Sequence, residues 1–152
     1  MFSFFKFQDQ VLLGKKRRGL GKDLLNGFGG KLNKNETIEE CAIREVKEEC
    51  GVDINPNDLE KVAEIKFRFK DSPKLFHNYV FKTTRYSGMI SESDEMMEPL
   101  WYSKQSLPYE KMWLDQEFWH HLMFRDQKFK ADFLLDGFTR VLQYEIRLVD
   151  EF

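Results

Sequence analysis

Residues 30–52 read GKLNKNETIEECAIREVKEECGV, and the spacing inside this stretch decides the fold. Gly30 is followed six positions later by Glu36. A cluster of charged residues begins eight positions after Glu36, at Arg44, and ends at Gly51-Val52. Such a pattern of fixed spacings is far less expected by chance than a lone glycine-rich loop. The positions that form it are Gly30, Glu36, Arg44, Glu45, Val46, Glu48, Glu49, Gly51 and Val52.

The second half of this stretch has the start and stop signals of a helix. Thr37 and Glu40 fit a capping box, and Gly51 stands where a left-handed residue would close the last turn. We therefore predict one helix over residues 38–50. At about 100° per residue its apolar side chains fall in one stripe, formed by Ile38, Ala42, Val46 and Cys50.

Three carboxylates lie beside that stripe. Glu45, Glu48 and Glu49 fall within a sector of roughly 100° on the helix surface. Like charges at this spacing repel, and their position beside a buried stripe adds a desolvation cost, so the cluster requires a compensating cation. Ligands that are all oxygen favour Mg2+ or Mn2+ over zinc. The pattern therefore predicts a divalent metal site on this helix.

Two glycines precede the helix and support the same interpretation. Gly29 and Gly30 have no Cβ, so a backbone carbonyl or amide there could approach a metal or phosphate closely. In isolation, an E-x-x-E-E helix is more often a solvated acidic face paired with basic neighbours, here Arg44 and Lys47. The glycine and Glu36 in register with the helix favour the metal site over that alternative.

Length and composition suit one soluble intracellular domain. The 152 residues are enough for one core and too few for two, so we expect a single domain over residues 1–152. The net charge of −2 selects neither nucleic acid nor membrane. Cys41 and Cys50 lack metal-ligand spacing and are typical of small buried residues in a reducing compartment. No transmembrane or signal segment is evident, so a cytoplasmic protein is expected.

Hydrophobic periodicity predicts a mixed sheet with a second helix. Predicted strands cover residues 2–7, 11–14, 62–69, 75–82, 99–102, 128–134 and 140–148, and the second helix covers residues 115–124. These elements form an α/β/α sandwich with two main helices. The basic run at residues 15–18 fits a loop near a polyanionic substrate, an ordinary solvated turn, or a nucleic-acid or nuclear-localisation patch.

Further motifs extend the pattern over nearly the whole chain. They are Val11-Leu12-Leu13-Gly14, residues 26–31 (NGFGGK), residues 92–96 (ESDEM), Met112-Trp113, Phe118-Trp119 and the region 136–150. Together with residues 30–52, they resemble the Nudix hydrolases, and within them the MutT-homologue branch. The resemblance implies an oxidised purine nucleoside triphosphatase that hydrolyses 8-oxo-dGTP and 2-oxo-dATP to the monophosphate and pyrophosphate.

This resemblance also implies the catalytic and metal-binding residues. It places the metal on Glu45, Glu48 and Glu49, with backbone contact from Gly30 and a further carboxylate from Glu95, and the metal would be Mg2+ or, as a substitute, Mn2+. Catalysis would involve Glu48, Glu49 and Glu95, with Glu49 and Glu95 both candidates for the base. Arg44 would hold Glu45 or a neighbour in place.

The base pocket of the branch is also carried over by resemblance. Asn26, Trp113 and Asp115 match it, whereas Gln116 stands where the branch has a second aspartate. Gln116 is neutral and can both donate and accept, so the range of purines that the pocket reads is open. Other expected substrate contacts are Lys16, Gly29, Phe67 and Phe76, and Leu20 stands where an aromatic residue is frequent.

Three functions remain open on the sequence. The first is hydrolysis of oxidised purine nucleotides by a monomer that binds neither nucleic acid nor membrane. The second keeps the same chemistry on another modified nucleotide, such as O6-methyl-dGTP, on a plain nucleotide, or on a dinucleoside polyphosphate. The third is a non-catalytic nucleotide-binding module, which the presence of all four carboxylates disfavours.

Overall fold

Strands and helices of the computed structural model, which describes residues 2–7 and 9–152, follow the predicted order with a few additions. The eight strands are β1 (Phe2–Phe7), β2 (Gln10–Lys16), β3 (Leu25–Asn26), β4 (Glu60–Phe69), β5 (Ser72–Thr83), β6 (Met96–Ser103), β7 (Lys128–Asp136) and β8 (Arg140–Val149). The two α-helices are α1 (Ile38–Cys50) and α2 (Gln116–Phe124), and short 3-10 turns lie at Pro56–Asp58 and Tyr109–Lys111.

All eight strands join one mixed sheet. Its order is β3-β2-β1-β5-β4-β7-β8, and β6 pairs with β2. The β1–β5 and β4–β7 pairs are parallel, and the other pairs are antiparallel. The predicted hairpin is β4–β5, with Phe67 opposite Phe76. This mixed sheet with two helices confirms the predicted α/β sandwich.

Helix α1 begins and ends as its capping signals predict. The Thr37 hydroxyl accepts from the Glu40 N–H at 3.1 Å, and the Glu40 carboxylate accepts from the Thr37 N–H at 2.8 Å. Gly51 closes the helix with φ +80°, in the left-handed region that glycine occupies without steric cost. The buried face differs slightly from the predicted stripe, because Ile38 is only half-buried and Cys41 is fully buried.

The two helices contribute to separate hydrophobic clusters. One cluster joins α1 through Val46 and Cys50 to Leu12 of β2, and the other joins α2 through Trp119 and Met123 to Val11 and Leu13. Successive strand residues point to opposite faces of a sheet. The helices therefore cover opposite faces. Within the described part of the chain, neither helix has the length and apolar character needed to cross a bilayer.

The basic run at residues 15–18 is not all loop. Strand β2 continues to Lys16 because Lys15 and Lys16 pair with β6, where Lys16 lies opposite Met96. Only Arg17 and Arg18 lie beyond the strand. The prediction that β2 ends at residue 14 is therefore wrong by two residues. Backbone hydrogen bonds to β6 extend the strand, although the charged residues there do not indicate a strand.

Candidate active site

An arginine on α1 holds three carboxylates. The Arg44 guanidinium donates from Nε to Glu36 Oε1 at 2.6 Å and from Nη2 to Glu36 Oε2 at 3.0 Å. Its Nη1 reaches Glu45 Oε1 at 2.8 Å and Glu48 Oε2 at 3.1 Å. The hydrogen bond from Arg44 lowers the pKa of Glu36 to about 2. Arg44 therefore links Glu36 to Glu45 and Glu48 by direct hydrogen bonds.

Glu49 is the most buried carboxylate of the helix, with only 1% of the residue exposed. Its Oε2 accepts from the Gly29 N–H at 2.8 Å, and its Oε1 lies 3.7 Å from Lys16 Nζ. Oε1 has no hydrogen-bond partner among the described residues. Burial raises the pKa of Glu49 to about 7, although the Gly29 N–H and the Lys16 charge act in the opposite direction.

Glu45 and Glu95 approach the same region from different elements. A Cβ on Gly30 would lie 2.3 Å from Glu45 Oε1, so only glycine leaves room for that carboxylate. Glu95 precedes β6, and its carboxylate accepts from Arg18 Nη2 at 3.0 Å. The negative charges of both residues contribute to the raised pKa of Glu49. The acids are therefore close enough to interact electrostatically.

The donor chemistry at these residues fits a hard divalent cation. The available ligands are carboxylate oxygens and the backbone beside Gly30, and the buried Glu49 Oε1 is a strong acceptor without a donor among the described residues. Within the described ranges, no three acidic, histidine or cysteine side chains stand close enough together to ligate one ion directly. Instead, the carboxylates form ion pairs with basic side chains: Glu45 with Arg44, Glu49 with Lys16 and Glu95 with Arg18.

A cavity of about 290 Å³ opens beside Gly29 and Gly30. Its walls are mostly apolar and aromatic, with a few polar groups, as in small-molecule sites. The lining residues named above are Lys16, Leu20, Asn26, Gly29, Gly30, Phe67, Phe76, Trp113, Asp115 and Gln116. Residues Glu45, Glu48, Glu49, Glu95 and Arg44 do not line it. The cavity and the carboxylates therefore adjoin through the glycine loop and Lys16.

Polar side chains from two elements meet in the cavity wall. Asn26 Oδ1 accepts from the Gly27 N–H at 2.9 Å and from Gln116 Nε2 at 2.7 Å. Asp115 Oδ2 accepts from the Trp119 indole N–H at 2.7 Å. Burial raises the pKa of Asp115 to about 6, against the effect of that hydrogen bond. Asn26, Asp115 and Gln116 are all at least nine-tenths buried.

Aromatic side chains line the mouth of the cavity. Trp113 contacts Phe138 edge to face, with ring centroids 5.5 Å apart. Phe76 and Leu20 also line the cavity but are 46% and 63% exposed, so they lie at its rim. A half-buried indole in a cavity wall, as at Trp113, can provide a stacking surface for a purine.

Several lining residues were not predicted from the sequence to contact the substrate. They are Gly27, Lys31, Ile65, Phe69, Asn78, Val80, Met96, Trp119, Leu135 and Phe138. The period-2 pattern of residues 62–69 already places Ile65 and Phe69 on the face of Phe67, so that signal could have found them. Leu135 and Phe138 lie near the β7–β8 turn, and no local pattern connects them to the distant Trp113.

Known proteins are similar to this chain over most of its length. Residues 1–127 match the family model of the NUDIX domain. The chain is 38% identical over 143 residues to the oxidized purine nucleoside triphosphate hydrolase of Mus musculus, covering 94% of this chain and 90% of that protein. The protein of the same name from Danio rerio is 37% identical over 142 residues, with coverage of 93% and 89%.

Solved structures share the same architecture. The MutT protein from Bacillus halodurans superposes with a TM-score of 0.80 at 24% identity, over 95% of this chain and 94% of that one. A MutT NUDIX hydrolase from Burkholderia pseudomallei gives a TM-score of 0.64 at 19% identity, over 70% and 83% of the two chains. At these identities the similarity shows the fold.

Proposed function

Because the chain belongs to the Nudix family of hydrolases, we propose that it hydrolyses oxidised purine nucleoside triphosphates. Substrates of the 8-oxo-dGTP and 2-oxo-dATP type would yield the nucleoside monophosphate and pyrophosphate. One observation carries this proposal. Gly29 both lines the cavity and donates to Glu49, so a base in the cavity would place its phosphates beside the acidic residues.

The reaction adds one water across the anhydride between the α- and β-phosphorus atoms. The water oxygen bonds to one phosphorus, the bridging oxygen leaves with the other, and the protons of the water pass to acceptors at the site. A carboxylate that takes the first proton works best with a pKa near the operating pH. Glu49, which is buried and accepts from the Gly29 N–H, is one candidate for that role, and Glu95 is the second.

Nudix hydrolases generally use a divalent metal, and we propose Mg2+, with Mn2+ as a substitute. Glu45, Glu48, Glu49 and Glu95 would hold it together with the backbone at Gly30. When bound, the ion supplies charge neutralisation to the phosphate oxygens. Arg44 would orient Glu45 for this task, since the two are in direct contact.

Lys16 is proposed to guide the phosphates. Its ammonium group lies 3.7 Å from Glu49 Oε1, and the residue lines the cavity, so Lys16 connects the cavity to the acids. A cation at this place can pair with a phosphate oxygen once the carboxylate is otherwise engaged. Lys16 would therefore exchange its partner when substrate and metal arrive.

The whole chain, residues 1–152, is proposed to act as one catalytic domain. We expect a monomer that works on free nucleotides of the cytoplasmic pool and binds neither nucleic acid nor membrane. Cys41 and Cys50 are both free thiols and buried, as suits a reducing compartment.

The deciding experiment is pyrophosphate release from 8-oxo-dGTP, 2-oxo-dATP, dGTP and dATP with Mg2+. We expect kcat/KM to be higher for each oxidised nucleotide than for its plain counterpart. A dinucleoside polyphosphate in the same panel checks the alternative substrate class. Equal kcat/KM for oxidised and plain purines would contradict the proposal.

A further inference from the structure

Two amide side chains in the cavity wall have fixed orientations. The Gly27 backbone N–H can only donate, and it contacts Asn26 at 2.9 Å, so the Asn26 atom that it meets must be the oxygen Oδ1. Gln116 approaches the same oxygen at 2.7 Å and must therefore present its nitrogen, Nε2. One backbone N–H thus determines the orientation of both amides.

This arrangement leaves one donor beside one acceptor. Gln116 Oε1 is buried and has no hydrogen-bond donor among the described residues. Asn26 Nδ2 likewise makes no hydrogen bond within the described part of the chain, because Oδ1 accepts both contacts of that side chain. Both residues line the cavity. A ligand that reaches this part of the wall would be offered the N–H donor of Asn26 and the carbonyl acceptor of Gln116, which belong to two hydrogen-bonded neighbours.

A donor next to an acceptor is complementary to a lactam, which is a ring C=O beside a ring N–H. Guanine and 8-oxoguanine carry this group at O6 and N1–H, hypoxanthine has the same pair, and 2-oxoadenine in its keto form has it at O2 and N1–H. Adenine and O6-methylguanine present a bare ring nitrogen in place of the N–H. That nitrogen would face the Gln116 oxygen, lone pair against lone pair.

We propose that the Asn26–Gln116 amide pair makes this pocket select purines with a lactam edge and reject adenine and O6-alkylated guanine. The inference rests on the proposed function and narrows its substrate class. An amide gains or loses no proton at ordinary pH, so Gln116 offers the same acceptor whatever the pH. Leaving that buried oxygen without a donor costs about 1–3 kcal/mol, which corresponds to roughly 5-fold to 150-fold in kcat/KM.

Two pairs of triphosphates isolate the lactam. dGTP and O6-methyl-dGTP differ only by the methyl group that removes the N1 proton, and dITP and dATP differ only in the group at position 6 and the proton on N1. We expect kcat/KM to be at least about fivefold higher for the lactam member of each pair. Ratios within about threefold of one would overturn the inference.

Variants test whether the Asn26 and Gln116 amides cause the preference for the lactam nucleotides. Gln116→Met keeps the length of the side chain without its acceptor, so both ratios should fall below about threefold. Asn26→Asp keeps an oxygen for Gly27 and Gln116 but removes the donor, and the ratios should fall in the same way. Gln105→Met is the matched control, because Gln105 is exposed and does not line the cavity. A purely structural role would lower kcat/KM for every substrate and leave the ratios unchanged, which would refute the inference.

Binding of monophosphates separates this inference from the proposed function. dGMP and O6-methyl-dGMP have no anhydride to cleave, so calorimetric Kd values report base selection alone. Tighter binding of dGMP by about tenfold, lost in Gln116→Met, supports the lactam inference even where no pyrophosphate is released from any triphosphate. Active enzyme with equal Kd values for the two monophosphates would overturn the inference and leave the proposed function standing.

Discussion

At the scale of single residues, the buried Asp115 carboxyl gives a prediction on pH. Its pKa of about 6 lies above the ordinary 3.8, so the folded protein holds this proton where the unfolded chain has lost it. The free energy of unfolding therefore contains a term that falls as pH rises from 3.8 through 6, by up to about 3 kcal/mol. Asp115→Asn keeps an acceptor for Trp119 and should remove that decline.

Urea unfolding of both proteins between pH 3.5 and 7 measures this difference. We expect the free energy of unfolding of the wild type to fall, relative to that of Asp115→Asn, as pH rises through this range. Parallel pH profiles would show that Asp115 ionises without cost. The same variant should lose preference for 8-oxo-dGTP over dGTP, since an amide cannot supply a carboxylate acceptor.

Glu49→Gln tests the proposed acid cluster. Glutamine keeps an oxygen for the Gly29 N–H but cannot take a proton or provide a charged ligand, so kcat should fall by about 100-fold or more. Glu39→Gln on the exposed side of the same helix is the control and should leave kcat unchanged. Wild-type turnover by Glu49→Gln would show that the reaction occurs elsewhere.

Residue-level features were predictable where their cause is local. The Thr37–Glu40 capping box and the Gly51 cap depend on neighbours within four positions, and the structure confirms both. The contact between Asn26 and Gln116 joins residues 90 positions apart, and its donor and acceptor assignment depends on a backbone N–H. No sequence pattern encodes that assignment, so the sequence predicts that Gln116 can donate and accept but not which of its atoms is paired.

At the scale of elements, the loop between β2 and β3 supports the cavity. Gly19 and Gly21 both have positive φ, so an alanine at either site suffers about 1–2 kcal/mol of backbone strain. At Gly21 a Cβ would also lie 2.7 Å from the Trp113 ring, whereas at Gly19 it would meet nothing within 4 Å. Gly21→Ala should therefore displace the indole.

The two alanine variants form a matched pair. We expect similar losses of Tm from the shared strain, but a several-fold higher KM for 8-oxo-dGTP only in Gly21→Ala, because the stacking surface moves. Equal KM values in the two variants would show that Trp113 does not hold the base.

Element boundaries were least predictable at short or charged strands. β3 has two residues, Leu25 and Asn26, which is too short for any alternating pattern. The end of β2 at Lys16 depends on partners in β6, far along the chain. The long amphipathic helix α1 and the β4–β5 hairpin have strong periodicity, and both were predicted.

At the scale of the whole molecule, the two hydrophobic clusters should contribute independently to stability. Val46 belongs to the α1 cluster and Met123 to the α2 cluster, on opposite faces of the sheet. Val46→Ala should cost about 1–3 kcal/mol and Met123→Ala about 2–5 kcal/mol. The double variant should equal their sum within about 0.5 kcal/mol, as chemical unfolding can measure. A coupling above about 1 kcal/mol would mean that the sheet transmits packing changes between its faces.

The four acids come mainly from one continuous segment, whereas the cavity wall is assembled from β2, the glycine loop, β4, β5, α2 and the β7–β8 turn. This division makes the molecule suitable for redesign. Side chains such as Asn78 and Leu135 can be exchanged in a library without altering residues 30–52, so new nucleotide preferences can be selected while the proposed acid cluster is retained. A biosensor or a scavenger for a chosen damaged nucleotide could begin from those positions.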